Sequence, residues 1–323
     1  MIRTVTDVEE CRALWEAFAA GERVWDEWDI VSAYHDQRQY DLQFLVHEAG
    51  GKADGMVPMV HDQKDDSFEL YGGCYPENRP LWVRPGDFPE FFEHFPPQTV
   101  FFDLNGDCVR TILADHPQYL PNFREQDQRY FLVPETFQYD FGNHINTFSG
   151  DKRSGFLYDL RKIRQLNPVI HWSDDDEADL FIRLSNQNFG AESDYIAESG
   201  QDELKRVVHA FQAGGYLRTI TISINGNKEA VAFCVLYKGT MVVAYSSSNN
   251  SFKNLGKLLN VETIQEGCRL RVNEINYMTG MQWKANWKMN SEICYTMRKP
   301  PKPEAETAAA GQVLTGPIRE ELQ

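Results

Sequence analysis

Positive charge is scarce in this chain: 32 Lys and Arg stand against 48 Asp and Glu, a formal net charge of -16. Such a surface repels polyphosphates, so broad nucleic-acid binding is disfavoured, and cationic or amine-bearing partners are mildly favoured. Long apolar runs are missing too. No stretch approaches the ~20 residues that a membrane helix needs, so membrane insertion is not expected. The amino terminus, Met1-Ile2-Arg3-Thr4-Val5-Thr6-Asp7, runs into a charged segment without an apolar signal region, the pattern of a cytoplasmic protein. Cys11, Cys74, Cys108, Cys234, Cys268 and Cys294 are scattered, with no C-x-x-C pair and no cysteine–histidine cluster. They read as reduced, buried thiols, with no zinc or other metal. No Gly-x-Ser-x-Gly elbow or cysteine-nucleophile signature is present, so an acyl-enzyme route has no support.

What is present is ordinary globular usage, 42% hydrophobic and 25% charged over 323 residues, which is enough for two domains. Thr6 with Glu9 reads as a capping box, and Val8, Cys11, Leu14, Trp15 and Phe18 follow at helical spacing up to Gly21. After an aromatic, acidic stretch with Trp25, Trp28 and Tyr34, residues Leu42 to Leu70 read as three strands parted by Gly50-Gly51 and by Gln63 to Asp66. The pattern returns with strands from Leu217 to Ile224, Ala230 to Tyr237 and Met241 to Ser247, turned at Asn225-Gly226 and Lys238-Gly239. Val100 to Leu104 follows the first meander as Glu274 to Met278 follows the second.

Two related halves account for this echo. Between them a polar segment, Ser149 to Gly155, leads into a helix from about Phe156 to Leu166 that Asn167-Pro168 stops. The expected division is 1–145, 146–298 and a tail, 299–323, that lacks a core pattern and reads as disordered. Helices are expected near Glu177 to Phe189 and Gln201 to Ala213.

The densest stretch lies near the end. A strand reaching Tyr277-Met278 stops at Gly280, and Trp283-Lys284-Ala285-Asn286-Trp287 sets one ammonium between two indoles. A cleft wall and a core edge are both compatible with that pattern. A second candidate is the helix opening at Asn254-Leu255-Gly256-Lys257, where unpaired N–H groups and the helix dipole favour an anion. An Asn-capped helix packing Leu255, Leu258, Leu259 and Ile264 is the competing reading.

The order of elements in the second half resembles a GNAT acyltransferase, more narrowly the FemAB-like and CelD-like branch, whose members carry two GNAT-like halves. The residues that carry the resemblance are Lys152-Arg153, Asn225-Gly226 with Ala230-Val231-Ala232, Asn254-Leu255-Gly256, Tyr277-Met278-x-Gly280 and Trp283-Lys284-x-x-Trp287. In that branch Asp is usual where Asn276 stands, and Tyr where Trp283 stands. The coenzyme A turn, usually Arg/Gln-x-x-Gly-x-Gly/Ala, reads here Ser251 to Gly256 with a single glycine and added lysines at Lys253 and Lys257.

The resemblance implies an α/β (α+β) fold of two tandem GNAT-like domains, each a mixed, mostly antiparallel sheet flanked by helices, with the first half degenerate. It implies a donor, acyl-CoA foremost, held by Ser246, Ser247, Asn254, Leu255, Gly256 and Lys257. Lys284, Tyr245 and Tyr277 would carry the chemistry, and Trp283, Trp287, Asn276 and Arg153 the acceptor. The activity implied is direct transfer of an acyl group from an acyl thioester to an amine on a small molecule, sugar or peptide. The alternatives are a FemAB-type aminoacyl-tRNA-dependent transferase, for which Lys152, Arg153, Arg161, Lys162 and Arg164 form the one basic stretch, and a non-catalytic binding module.

Overall fold

Three two-residue turns set the sheets. Gly50-Gly51, Asn225-Gly226 and Lys238-Gly239 all have both residues at positive φ, the geometry that matches the twist of a tight hairpin. They join β2 (Tyr40–Ala49) to β3 (Lys52–Asp62), β8 (Leu217–Ile224) to β9 (Asn227–Tyr237), and β9 to β10 (Thr240–Ser248). The computed structural model describes residues 1–35, 39–73 and 75–300. Cys74 and all of the expected tail beyond Pro300 lie outside the described residues; the other five cysteines are free thiols, four of them buried.

The first half continues with β1 (Ile2–Val5), α1 (Val8–Phe18), α2 (Trp28–Ser32), β4 (Ser67–Leu70), α3 (Phe88–His94), β5 (Val100–Leu104), α4 (Gly106–Asp115), β6 (Phe123–Leu132) and α5 (Phe141–Asn146). The second half holds α6 (Gly150–Arg164), β7 (Val169–Ser173), α7 (Ala178–Phe189), α8 (Glu198–Ala213), α9 (Leu255–Arg269), β11 (Glu274–Thr279) and β12 (Asn290–Arg298). Two boundaries differ from the sequence reading. Asp7, not Thr6, caps α1, accepting from Glu10 N–H at 3.0 Å. The linking helix α6 begins at Gly150, because Ser149 O already accepts from Arg153 N–H.

The strands form a four-stranded antiparallel sheet, β1-β2-β3-β4, and an eight-stranded sheet, β5-β12-β6-β11-β10-β9-β8-β7. The larger sheet is built by exchange. β6, from the first half, lies between β11 and β12, pairing Leu132 with Ile275 and Phe131 with Asn290. β12, from the end of the chain, lies between β5 and β6, pairing Met297 with Phe101 and with Phe123. Each half thus completes the sheet of the other, giving mixed, antiparallel-rich sheets flanked by helices.

Both faces of the large sheet are covered. Along β9, Ala230, Ala232 and Cys234 face α5, α6 and α9, while Val231, Phe233 and Val235 face α7 and α8. A strand buried on both sides has to be apolar throughout, which accounts for the run Ala230 to Val235. The α7 and α8 layer also receives Val24, Trp25, Ile30 and Tyr34 of the first half. At about 1.5–3 kcal/mol for each fully buried large apolar side chain, these few anchors hold the halves together in addition to the exchanged strands. No helix among the described residues is long and apolar enough to cross a membrane.

Residues 146–323 expressed alone lack β6 and expose one flank of β11 and of β12. They are expected to show no cooperative thermal transition, while the whole chain melts in one. Two separate transitions in calorimetry of the whole chain would show that the halves fold independently.

Candidate active site

β10 and β11 run parallel and pair only from Thr240 opposite Glu274 to Val242 opposite Asn276. Beyond that point they part, and Val243 to Ser248 of β10 keep only β9 as a strand partner. Local irregularities on both strands hold the fork open. On β10 the register slips between Val243 and Tyr245, leaving Ala244 as an extra residue. On β11 Met278 takes φ 63°, and the Asn276 Oδ1 accepts from its N–H at 2.8 Å. That turn needs only an acceptor two residues upstream, which asparagine supplies as well as aspartate does.

The fork opens into a cleft of about 470 Å³ between the halves. Lys284, Tyr245, Ser246, Tyr277 and Trp283 border it, together with Tyr75, Glu77, Asp103 and Asp127 of the first half. Lys284 sits in a short 3-10 segment, Gln282–Trp287, and is only 6% exposed. Its Nζ donates to Met278 O at 3.1 Å and Thr279 O at 2.9 Å, so it ties the segment to the end of β11. The third N–H has no acceptor among the described residues. Burial brings the ammonium down to about 8, opposed by the charges of Glu77 and Asp127.

The Tyr245 hydroxyl shares a hydrogen bond with the Tyr34 hydroxyl at 3.2 Å, and its ring packs edge-on against Phe181. Burial pushes its pKa well above the ordinary value. Trp283 is 37% exposed on the cleft rim. Tyr277 faces the other way: its hydroxyl bonds Thr263 Oγ1 at 2.7 Å and donates to Asn260 O at 3.1 Å, inside the α9 layer. Trp287 lies in the same core, edge-on to Phe156 at 5.1 Å. Trp287 and Asn276 do not border the cleft, and Arg153 is turned to Asn146 Oδ1 at 3.4 Å.

The turn Asn254–Lys257 follows the open end of β10. Asn254 is left-handed, φ 69°, and its side chain caps nothing, which corrects the reading of an Asn-capped helix. Phe252 O and Asn254 O take up the N–H groups of Leu255 and Leu258, leaving those of Gly256 and Lys257 without a protein acceptor among the described residues. A Cβ on Gly256 would lie 3.1 Å from Ser248 Oγ, so the helix start and strand end are in near contact. Ser247 is buried, its Oγ accepting from Asn188 Nδ2 at 3.4 Å. Lys257 is paired with Asp159.

Sequence reasoning missed the carboxylates. Glu77 is 3% exposed; its Oε1 accepts from Thr279 N–H, and its Oε2 has no partner. Burial raises it to about 7, against the pull of Thr279. Asp103 likewise keeps an unpartnered Oδ1, and burial raises it to about 6 against the nearby Arg79 charge. Asp103 lies one residue from the end of β5, at φ 52°, and Glu77 lies in a loop with no periodic signal. That loop has a structural cause. The first half has its own parallel pair, β4 and β5, touching at Phe68 and Thr99, and the chain lays Arg79 along β5 by bonds to Asp103 and Asn105. The segment that fills this place in the first half delivers Glu77 to the cleft of the second.

Residues 151–289 match the family model described as Acetyltransferase (GNAT) domain. The chain carries a GNAT acetyltransferase domain. Solved structures agree over both halves. A conserved protein of unknown function from Bacteroides thetaiotaomicron VPI-5482 is 15% identical with a TM-score of 0.60, over 93% of this chain and 100% of that one. FemX is 7% identical with a TM-score of 0.56, over 91% and 96%. A tandem GNAT protein from the clavulanic acid biosynthesis pathway, solved without AcCoA, is 10% identical with a TM-score of 0.54, over 94% and 99%. At these identities the likeness is one of fold. No curated protein matches in sequence. The family match is confined to residues 151–289, and the likeness to FemX and to the tandem GNAT protein extends the same fold over both halves.

Asn276→Ala removes the acceptor for Met278 N–H. It is expected to lower the unfolding free energy by about 1–3 kcal/mol in a urea titration; unchanged stability would show that the β11 turn stands without this bond.

Proposed function

We infer that this GNAT protein is an N-acyltransferase that moves an acyl group from an acyl thioester, with coenzyme A as carrier, directly to an amine held between its halves. The observation that carries this reading is the fork of β10 and β11, which ends at the start of α9 and opens on Lys284. The edge of Val243 to Ser247 that β11 leaves unpaired offers backbone groups to the amides of a pantetheine arm, as a further strand would. The free N–H groups of Gly256 and Lys257, at the positive end of the α9 dipole, suit the pyrophosphate.

Lys284 would meet the negative charge that develops on the thioester oxygen, with the one N–H it does not spend on β11. Tyr245 and Trp283 would form the aromatic side of the acceptor site. Glu77, Asp103 and Asp127 make the opposite wall acidic, which favours a cationic or amine-bearing acceptor, whether small molecule, sugar or peptide.

The reading of a lapsed, non-catalytic module is disfavoured by the same wall. Glu77 Oε2 and Asp103 Oδ1, buried without a hydrogen-bond partner, carry a cost in stability that a scaffold has no reason to keep. The FemAB-type alternative, with an aminoacyl-tRNA donor, draws on the likeness to FemX. It would need the basic stretch of α6 as a track on an acidic protein, and Arg164 of that stretch is paired with Glu262.

Titration calorimetry with acetyl-coenzyme A is the direct test. Binding to the wild type, lost or weakened at least tenfold in Gly256→Val, is the expected result. Equal affinity in the variant would remove the donor from the α9 turn, and no binding to either would turn the assignment toward a carrier other than coenzyme A.

A further inference from the structure

We propose that Glu77 is the proton acceptor of the transfer step, a catalytic residue that the first half contributes to the donor site of the second. This rests on the acyl-transfer reading above. Three observations carry it: one carboxylate oxygen fixed, the other free, and space on both sides.

The Thr279 N–H, at the end of β11, holds Glu77 Oε1. Thr279 follows the Met278 carbonyl and itself supplies the second carbonyl that binds Lys284. The carboxylate and the ammonium are therefore attached to the same two residues at the strand end, which fixes their relative position. Glu77 Oε2 is left without a partner while buried, an arrangement that costs free energy unless a substrate group supplies the missing donor.

Glu77 also borders a second space. Behind it lies a cavity of about 60 Å³, lined by polar groups that include Asn78, Arg129, Glu274 and Asn276. A cavity of this size and polarity has room for a few waters, each with hydrogen-bonding partners. Glu77 thus borders both the cleft and this polar cavity, whose lining also includes Glu22 and Arg23.

The step balances as follows. The neutral amine attacks the thioester carbonyl carbon, and the C–N bond forms. The tetrahedral nitrogen is then cationic and far more acidic than the parent ammonium. Its proton passes to the Glu77 carboxylate, the C–S bond breaks, and the sulfur leaves as a thiolate that takes a proton from water. Glu77 returns its proton to solvent through the waters of the rear cavity.

The charged and titratable groups facing Glu77 are Asp103 on β5, Arg129 on β6, Cys294 on β12 and Lys284. Asp103 raises its pKa and Lys284 lowers it, both less than burial does. The carboxyl moves from 4.5 to about 7, so it binds its proton more tightly in the folded protein. Its contribution to stability is complete below pH 4.5 and is lost as the pH rises to about 7.

Glu77→Gln keeps an acceptor for Thr279 N–H and removes the titratable oxygen. With acetyl-coenzyme A as donor and a simple primary amine as probe acceptor, thiol release is expected to fall about 100-fold or more. The acidic limb of kcat/KM, with an apparent pKa near 7, is expected to vanish, while acetyl-coenzyme A affinity is unchanged. The melting temperature of the variant should also fall less than that of the wild type between pH 5 and 7, the remaining fall coming from Asp103, which stays raised to about 6. A variant that matches the wild type in rate across pH overturns the role of Glu77 alone. A wild type that neither binds acetyl-coenzyme A nor releases thiol overturns the donor reading, and this role with it.

Discussion

Backbone groups that leave a sheet must find other partners, and the parting of β10 from β11 after Val242 and Asn276 is where this molecule leaves that demand open. Everything around the fork serves to keep it. β6 occupies the far flank of β11, so β11 is secured without needing more of β10. The extra residue at Ala244 and the left-handed Met278, bonded to Asn276, turn the two strands away from each other. Lys284 then closes the end of β11 by taking the Met278 and Thr279 carbonyls. What remains unsatisfied is the outer edge of β10 beyond Val242 and the start of α9, which lies against Ser248.

Strand exchange explains why the first half persists although the family model covers only residues 151–289. Without β6 the second half has an incomplete sheet, and without β12 so does the first. The first half fills its own parallel pair with the segment around Arg79 and gives Glu77 and Asp103 to the shared cleft. In this arrangement one half provides the groove and the other its acidic wall.

The fold was largely legible in the sequence because its signals are local. Turns such as Asn225-Gly226 and Gly50-Gly51 state hairpins directly, and the alternation in β8 and β10 states buried strands. β6 was not seen: Phe123 to Arg129 reads Phe-Arg-Glu-Gln-Asp-Gln-Arg, with apolar content only at its ends, and its pairing partners lie more than 140 residues away. Lys284, Tyr245, Ser246 and Trp283 come together at the cleft. Tyr277 and Trp287 look like site residues in sequence because aromatic side chains serve cores and clefts alike, and only the direction of each side chain separates the two. Glu77 and Asp103 were invisible because their chemistry arises from burial beside each other and beside Thr279 of the other half, which no spacing rule records.

The central claim is that an acyl thioester lies along the open edge of β10 and against the start of α9. Backbone hydrogen exchange, followed by mass spectrometry with and without acetyl-coenzyme A, reads that edge directly. The expected result is slower exchange confined to residues 243–258, with little change in β2 and β3. Exchange in 243–258 that is the same with and without the thioester would contradict the account.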